Sequence, residues 1–233
     1  MIVFELMPEL FSKSEIMILD FNQIPSDTPD FKNIKLFFEQ SKASGKDPKA
    51  PENRQVFNND FLDKTGMRYL ISRYGEDRIE MLKGSKIAEE GRTIHLGIDI
   101  FSRNLEPVYA PCNGEIVVTG FEEGGHSFGH FVILKPDPKV TENYIFLGHL
   151  SKDLPSKGPI KKGQKITGLG DFVDGENGGW SRHLHVQLLR YLPEHNVIPP
   201  GYSSKENFAQ TTLEYPNPSF LVFKSFMKVF FQE

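Results

Sequence analysis

Cysteine is nearly absent from this chain: Cys112 is the single one among 233 residues. One thiol excludes an intramolecular disulfide and a cysteine-built zinc knuckle. An excess of basic residues is missing too. The formal charge of -4 leaves no electropositive footprint, so no nucleic-acid partner is expected. No apolar run reaches the ~18–20 residues of a membrane span, and none is expected. The opening stretch MIVFELMPELFSKSEIMILDF mixes glutamate into its apolar residues and has no basic leader. It reads as no signal peptide, which places the chain as written in the cytoplasm; a leader already removed would place it outside. Histidine is scarce, seven in all, whereas phenylalanine occurs 20 times. With 38% hydrophobic and 25% charged residues, the chain can bury a real core.

Along the chain the texture changes once. Residues 1–90 read as a partly helical N-terminal extension that packs on the core and covers one end of its groove. MPELFSKSEIMIL and DFKNIKLFFEQSKASG look helical, GKDPKAPEN (45–53) reads as a loop, and residues 60–82 read as a short helix and then a strand ending near YGEDR. From Thr93 onward short β-branched runs recur between glycine, proline and asparagine: TIHLGIDIF, EIVVTGF, HFVILK, NYIFLGHL, QKITGLG and HLHVQLL. VYAPCNGEIV (108–117) and GPIKKGQKITGLG (158–170) each carry a strand into a tight turn and out again. Residues 91–192 are therefore expected to form a mainly β domain, an antiparallel sandwich-like core. Residues 193–233 read as a loop followed by an apolar segment, SFLVFKSFMKVFF, that docks onto the core or joins a second copy of the chain.

The scarce histidines are not scattered. In HLHVQ, a strand puts His183 and His185 on one face and Leu184 on the other. Neutral imidazole is both a metal ligand and a base near neutral pH. The pair alone fits a metal or proton-transfer site and a purely structural role equally well. In HLGID, positions i, i+2 and i+4 of a strand share a face, so His95 and Asp99 converge with Gly97 between them; a charge-assisted His–Asp pair is the plainer alternative. Taken together, two histidines and one aspartate make a three-ligand zinc set with a fourth position open. Zinc lowers the pKa of bound water toward ~7. A third strand end, YIFLGHLS, brings His149 to the start of a polar loop, where functional side chains concentrate.

These elements occur in an order that resembles the M23 peptidases, the lysostaphin-type zinc endopeptidases: HLGIDIF, VYAPCNGEIVVTG, YIFLGHLS, IKKGQKITGLG, then HLHVQ. The resemblance covers roughly residues 92–190. It implies a core of the duplicated-hairpin type, with one zinc per chain held by His95, Asp99 and His185. His149 and His183 would then be the catalytic pair that deprotonates the water and stabilises the oxyanion. The implied substrate is a peptide, commonly glycine-rich or a peptidoglycan cross-link. Two departures stand out. The lead into the final histidines is ENGGWSRHLH, so Trp180 and Arg182 are expected to shape the groove. Gln187 replaces a glutamate of the family pattern, a change expected to leave the ligands untouched. RYLISRYGEDR, RTIHLGIDIF and GENGGW resemble a branch of M23-like domains, some joined to kinase- and aminotransferase-like modules, whose substrate need not be a cell wall.

The remaining candidates weigh less. His126 and His130 flank SFG in a glycine-rich loop, with His126 a weak groove candidate, and His195 lies in a proline-rich loop. Cys112 reads as a small buried filler, far from any partner that would make it a nucleophile. Two other functions compete with hydrolysis. A histidine phosphocarrier on the same hairpin architecture would use His149 and His183, but has no need of His95 and Asp99. A metal-containing binding module without turnover would use the ligands alone.

Overall fold

The computed structural model describes residues 16–18, 43–47, 50–194 and 197–223. Its centre is an eight-stranded sheet. The strands are β1 (Ile16–Ile18), β2 (Tyr69–Ile71), β4 (Ile98–Phe101), β6 (Gly114–Glu122), β7 (Gly129–Pro136), β8 (Tyr144–Leu150), β9 (Gly158–Ile160) and β11 (His183–Leu189). They lie in the order β1-β2-β4-β11-β8-β7-β6-β9. Every pairing is antiparallel except β1 with β2. Two small sheets complete the β structure: β5 (Pro107–Tyr109) with β10 (Lys165–Gly168), and β3 (Arg92–His95) with β12 (Tyr202–Ser204). The mainly β, antiparallel expectation is met.

Both faces of the central strands are covered, which explains why they read as nearly unbroken apolar runs. Val132, Leu134, Ile145, Leu147, Leu184 and Val186 point to one side and meet Val108, Ala110 and Ile166 from the β5–β10 layer. That second layer is what makes the core sandwich-like. Fully burying one such aliphatic side chain contributes about 1.5–3 kcal/mol. Phe128, Phe131, Ile133 and Phe146 pack on the opposite side, so part of the phenylalanine excess is spent there. Cys112 is buried in the first cluster, where burial pushes its thiol up to about 11. It is a filler, as its turn suggested.

Helix α1 (Pro51–Thr65) starts with proline in its first turn and stops at Gly66, whose φ of 68° closes it in the left-handed region. Phe57 and Phe61, one turn apart with ring centroids separated by 6.0 Å, pack with Leu62 against Leu70 and Phe101. Two short helices follow, α2 (Ile79–Leu82) and α3 (Lys86–Glu89).

Several expectations need correction. Residues 51–53 are not loop but the first turn of α1, because a proline there is a helix start rather than a breaker. Of the stretch MPELFSKSEIMIL only Ile16–Ile18 is described, and it is a strand that pairs in parallel with Tyr69–Ile71; sheet pairing overrides its helical pattern. Most of DFKNIKLFFEQSKASG lies outside the described residues. The strand within residues 60–82 ends at Ile71, before YGEDR, and it joins the main sheet through β4. The supposed loop after Leu192 contains β12 and α4 (Phe208–Glu214), whose signals are tertiary: Tyr202 pairs with His95, and Ser203 with Ile94. In α5 (Ser219–Phe223), Leu221 and Val222 dock into the main core; the rest of the apolar tail lies outside the described residues.

Candidate functional site

The described strands bring all five predicted histidine and aspartate positions together. Asp99 on β4 pairs directly with His185 on β11, and His185 pairs with Gly148 on β8, next to His149. His95 ends β3, which belongs to a different sheet, so the chain switches sheets at Leu96 and Gly97. Gly97 is needed at that switch. A Cβ there would come within 2.3 Å of Cε1 of His185, so the missing side chain makes room for that ring.

Hydrogen bonds set which nitrogen of each ring faces inward. His95 donates from Nδ1 to the Arg73 carbonyl at 3.4 Å, which turns Nε2 toward Asp99. His185 donates from Nε2 to Oε1 of Gln187 at 3.0 Å, which turns Nδ1 inward. The Gln187 amide is itself oriented by donating to the Pro200 carbonyl at 3.1 Å. His149 donates from Nδ1 to the Asn177 carbonyl at 2.8 Å, and His183 from Nδ1 to the Ser181 carbonyl at 2.7 Å. Each of these bonds turns the ring's other nitrogen inward.

The inward atoms converge. Oδ1 of Asp99 lies 2.9 Å from Nδ1 of His185, 3.5 Å from Nε2 of His95 and 3.7 Å from Nε2 of His183. Nε2 of His95 and Nδ1 of His185 are 3.3 Å apart. One ligand atom from each of His95, Asp99 and His185 fits within 4.8 Å. Three ligand-type atoms from three strands crowd into one small buried space, the arrangement in which a shared cation is held. The donor set, two imidazoles and a carboxylate, suits zinc.

Electrostatics points the same way. Burial pushes His95 down to about 3, with the Arg78 charge adding to it. Burial also lowers His149, helped by His183 and His185, and lowers His183. These three imidazoles are therefore neutral at pH 7 and ready to act as ligands or bases. Burial alone would raise Asp99, but it is held well below the usual carboxylate range. Arg78 is the neighbour that carries charge at neutral pH, through an ion pair at 2.7 Å to Oδ2.

Above this cluster lies a cleft of 470 Å³ lined by His95, Asp99, His149, His183 and His185. Trp180 and His126 form part of one wall, their rings 4.9 Å apart, and Trp180 is anchored by donating from Nε1 to the Ser127 carbonyl. Arg54, Met81 and Lys86, from the segments preceding β3, contribute another wall. His149 sits in the left-handed region at φ 60°, an uncommon conformation outside glycine that aims its ring from the strand end into the cleft. Its ring centroid lies 4.2 Å from that of His183.

Two expectations fail here. Arg182 does not line the cleft: it precedes His183 by one residue and so faces the other way, bonding Asp171 at 2.9 Å and the Arg103 carbonyl at 3.1 Å. Gln187 does not leave the ligands alone, because it is the group that orients His185. His130 packs on Phe121 at 4.5 Å, outside the cleft lining, and His195 lies outside the described residues.

Sequence reasoning missed Asn177. It is fully buried, its amide donates to the Gly170 and Trp180 carbonyls, and its Oδ1 accepts from the backbone N–H groups of Gly179 and Trp180. The loop it builds packs so closely that a Cβ on Gly178, at φ 74°, would come within 2.1 Å of the Ser127 carbonyl oxygen. ENGGW was visible as a departure from the family pattern, but nothing in it pointed to the carbonyl that holds His149. Arg78 was missed as well, for want of any local signal.

Residues 93–198 match the model of peptidase family M23. It is 28% identical over 105 residues to the lipoprotein NlpD of Yersinia enterocolitica, a match that takes in 41% of this chain and 99% of that protein. Among solved structures, it is similar to a zinc-containing peptidase from Vibrio cholerae, at 27% identity and a TM-score of 0.35, covering 42% of this chain and 28% of that one. The catalytic domain of lysostaphin from Staphylococcus simulans is similar at 22% identity and a TM-score of 0.36, covering 51% of this chain and 80% of that one. The chain thus spans under a third of the Vibrio peptidase. The matched family is one of peptidases, and the match does not favour a phosphohistidine carrier. No helix among the described residues is long and apolar enough to cross a membrane.

Proposed function

We propose that the chain is a zinc-dependent endopeptidase, with His95, Asp99 and His185 as the zinc ligands and His149 and His183 as the catalytic pair. The observation that carries this reading is the convergence of three ligand-type atoms: Nε2 of His95, Nδ1 of His185 and Oδ1 of Asp99, each within 3.5 Å of the other two. A bound zinc ion supplies a Lewis acid that polarises a carbonyl and makes water acidic near neutral pH.

The remaining chemistry belongs to the side chains. Nε2 of His149 is neutral and unprotonated, since Nδ1–H is committed to the Asn177 carbonyl, so it can take the proton of the attacking water. The same nitrogen can return that proton to the leaving amine. Nε2 of His183, fixed by the Ser181 carbonyl and stacked against Phe101 at 4.8 Å, faces the same space; neutral, it can accept a hydrogen bond that positions the water, and with a proton taken from that water it would stabilise the oxyanion. Trp180 and the residues before β3 border the space where an extended peptide would lie and exclude water from its edges.

The substrate class is a peptide, with glycine-rich peptides and peptidoglycan-derived peptides as the first candidates. The test joins metal analysis to a screen of glycine-rich peptides and muropeptides. One equivalent of zinc should co-purify or bind, a chelator should abolish cleavage, and zinc should restore it. Cleavage that survives complete zinc removal would sink the reading.

A further inference from the structure

The family match begins at Thr93, yet the segment from Ser72 to Arg78, which lies before it, is bound to two of the three candidate ligands. Backbone hydrogen bonds lace the two stretches together: Ser72 N–H to the Asp99 carbonyl, Gly75 N–H to the His95 carbonyl, and His95 N–H to the Glu76 carbonyl, all within 3.0 Å. Ser72 Oγ accepts from the Asp99 N–H at 2.8 Å, and the Arg73 carbonyl accepts from His95.

Arg78 is the centre of this segment. Its side chain is 3% exposed, and its planar fork is divided between two carboxylates. Nε bonds Oε1 of Glu76 at 2.6 Å, and Nη2 reaches both Glu76 and, at 2.8 Å, Oγ of Ser72. Nη1 bonds Oδ2 of Asp99 at 2.7 Å and the Tyr202 hydroxyl at 3.3 Å. Glu76, fully buried, balances the guanidinium charge that Asp99 alone would otherwise meet. The result divides the two oxygens of Asp99. Oδ2 belongs to Arg78, and Oδ1 faces His185, His95 and His183.

Building on the zinc reading above, we propose that Arg78 is a positioning residue for the metal: by occupying Oδ2 it restricts Asp99 to a single donor oxygen. A carboxylate free to bind through both oxygens would raise the coordination number and crowd the position that water and substrate need. The guanidinium fork does what a lysine cannot, since it spans Asp99, Glu76 and Ser72 in one plane. The segment preceding the family domain is, on this inference, part of the metal centre rather than a cover over it.

The test compares wild type, Arg78→Lys and Arg78→Met, each stripped of metal and loaded with cobalt(II) or zinc. Visible absorption of the cobalt form weakens as coordination rises above four, so it reads the number of donors without reference to activity. Both variants should show weaker cobalt bands than wild type. Arg78→Lys, which keeps the charge, should also bind zinc about 10–100-fold less tightly in chelator competition. Far-UV and near-UV circular dichroism of the metal-free proteins establishes the fold. Arg78→Lys keeps a cation beside Glu76 and therefore decides the question even where Arg78→Met does not fold. A folded Arg78→Lys with the wild-type cobalt spectrum overturns the proposal, whatever its zinc affinity. A wild type that takes up neither metal overturns the zinc-peptidase reading itself, which is a different and distinguishable failure.

Discussion

The two faces of β11 are equally buried and do opposite work. On one side Leu184, Val186 and Leu188 close the main core. On the other, His183, His185 and Gln187 are just as inaccessible, and each carries a hydrogen bond that fixes its ring or amide. Burial therefore does not separate core from site here. What separates them is whether polar atoms from several strands converge on one point. Gln187 bonds one partner at each end, whereas the inward nitrogens of His95 and His185 gather with each other and with Oδ1 of Asp99. Ligand-type atoms from separate strands meeting at one buried point form the geometry that a cation would use.

That contrast is open to direct attack. The largest expected effect comes from His185→Ala, which should lose zinc altogether and hydrolysis with it, while far-UV circular dichroism stays that of wild type. His149→Ala should keep one zinc per chain but lower kcat by about 10²–10⁴-fold. Cleavage at the wild-type rate would remove His149 from the mechanism. On the core face, Leu184→Ala should cost about 2–5 kcal/mol in denaturant unfolding and leave the zinc affinity of the folded protein unchanged. A shift in zinc affinity as large as the stability loss would mean that the two faces are not independent. Gln187→Ala should weaken zinc binding by about 10–100-fold, measured by chelator competition, because His185 loses its orienting acceptor.

The gentlest perturbation is acid. Burial first, and the Arg78 charge next, hold the folded-state pKa of His95 at about 3, below its ordinary value of 6.5. Burial lowers His149 and His183 in the same direction. The unfolded chain then binds more protons than the folded one between those values, so stability is full above pH 6.5 and is lost as pH falls toward about 3. Thermal melts of the metal-free protein should show a midpoint that falls from pH 6.5 downward, with only a small change between pH 7 and 6. A midpoint rising over the acid range would contradict the neutral assignment of these imidazoles.

Much of the site was legible in the chain because strand periodicity is a local property. The i, i+2 spacing of His183 and His185 needs only a strand to put both on one face, and the structure provides it. The antiparallel β core was legible for the same reason, from short runs separated by turn residues. His95 and Asp99 met by a less direct route than one continuous strand, since the chain changes sheets between them at Gly97. Arg182 was misread because adjacency in sequence was taken for adjacency in space, although one step along a strand reverses the face. β12 and α4 carry weak local patterns: Tyr202 and Ser203 are held by pairing with His95 and Ile94, and α4 is tied to β12 by the Thr211–Ser203 hydroxyl bond.

The amino-acid sequence alone determined that five histidine and aspartate side chains were available on strands, in an order and spacing suited to one another. It did so because the alternation of a β-strand depends on neighbours only. Which nitrogen of each ring faces inward, which oxygen of Asp99 is taken by Arg78, and which carbonyl holds His149 were decided by tertiary structure. Those choices join residues as far apart as Gly178 and Ser127, or Arg78 and Tyr202, and hydrogen-bond partners at that separation leave no periodic trace in the chain.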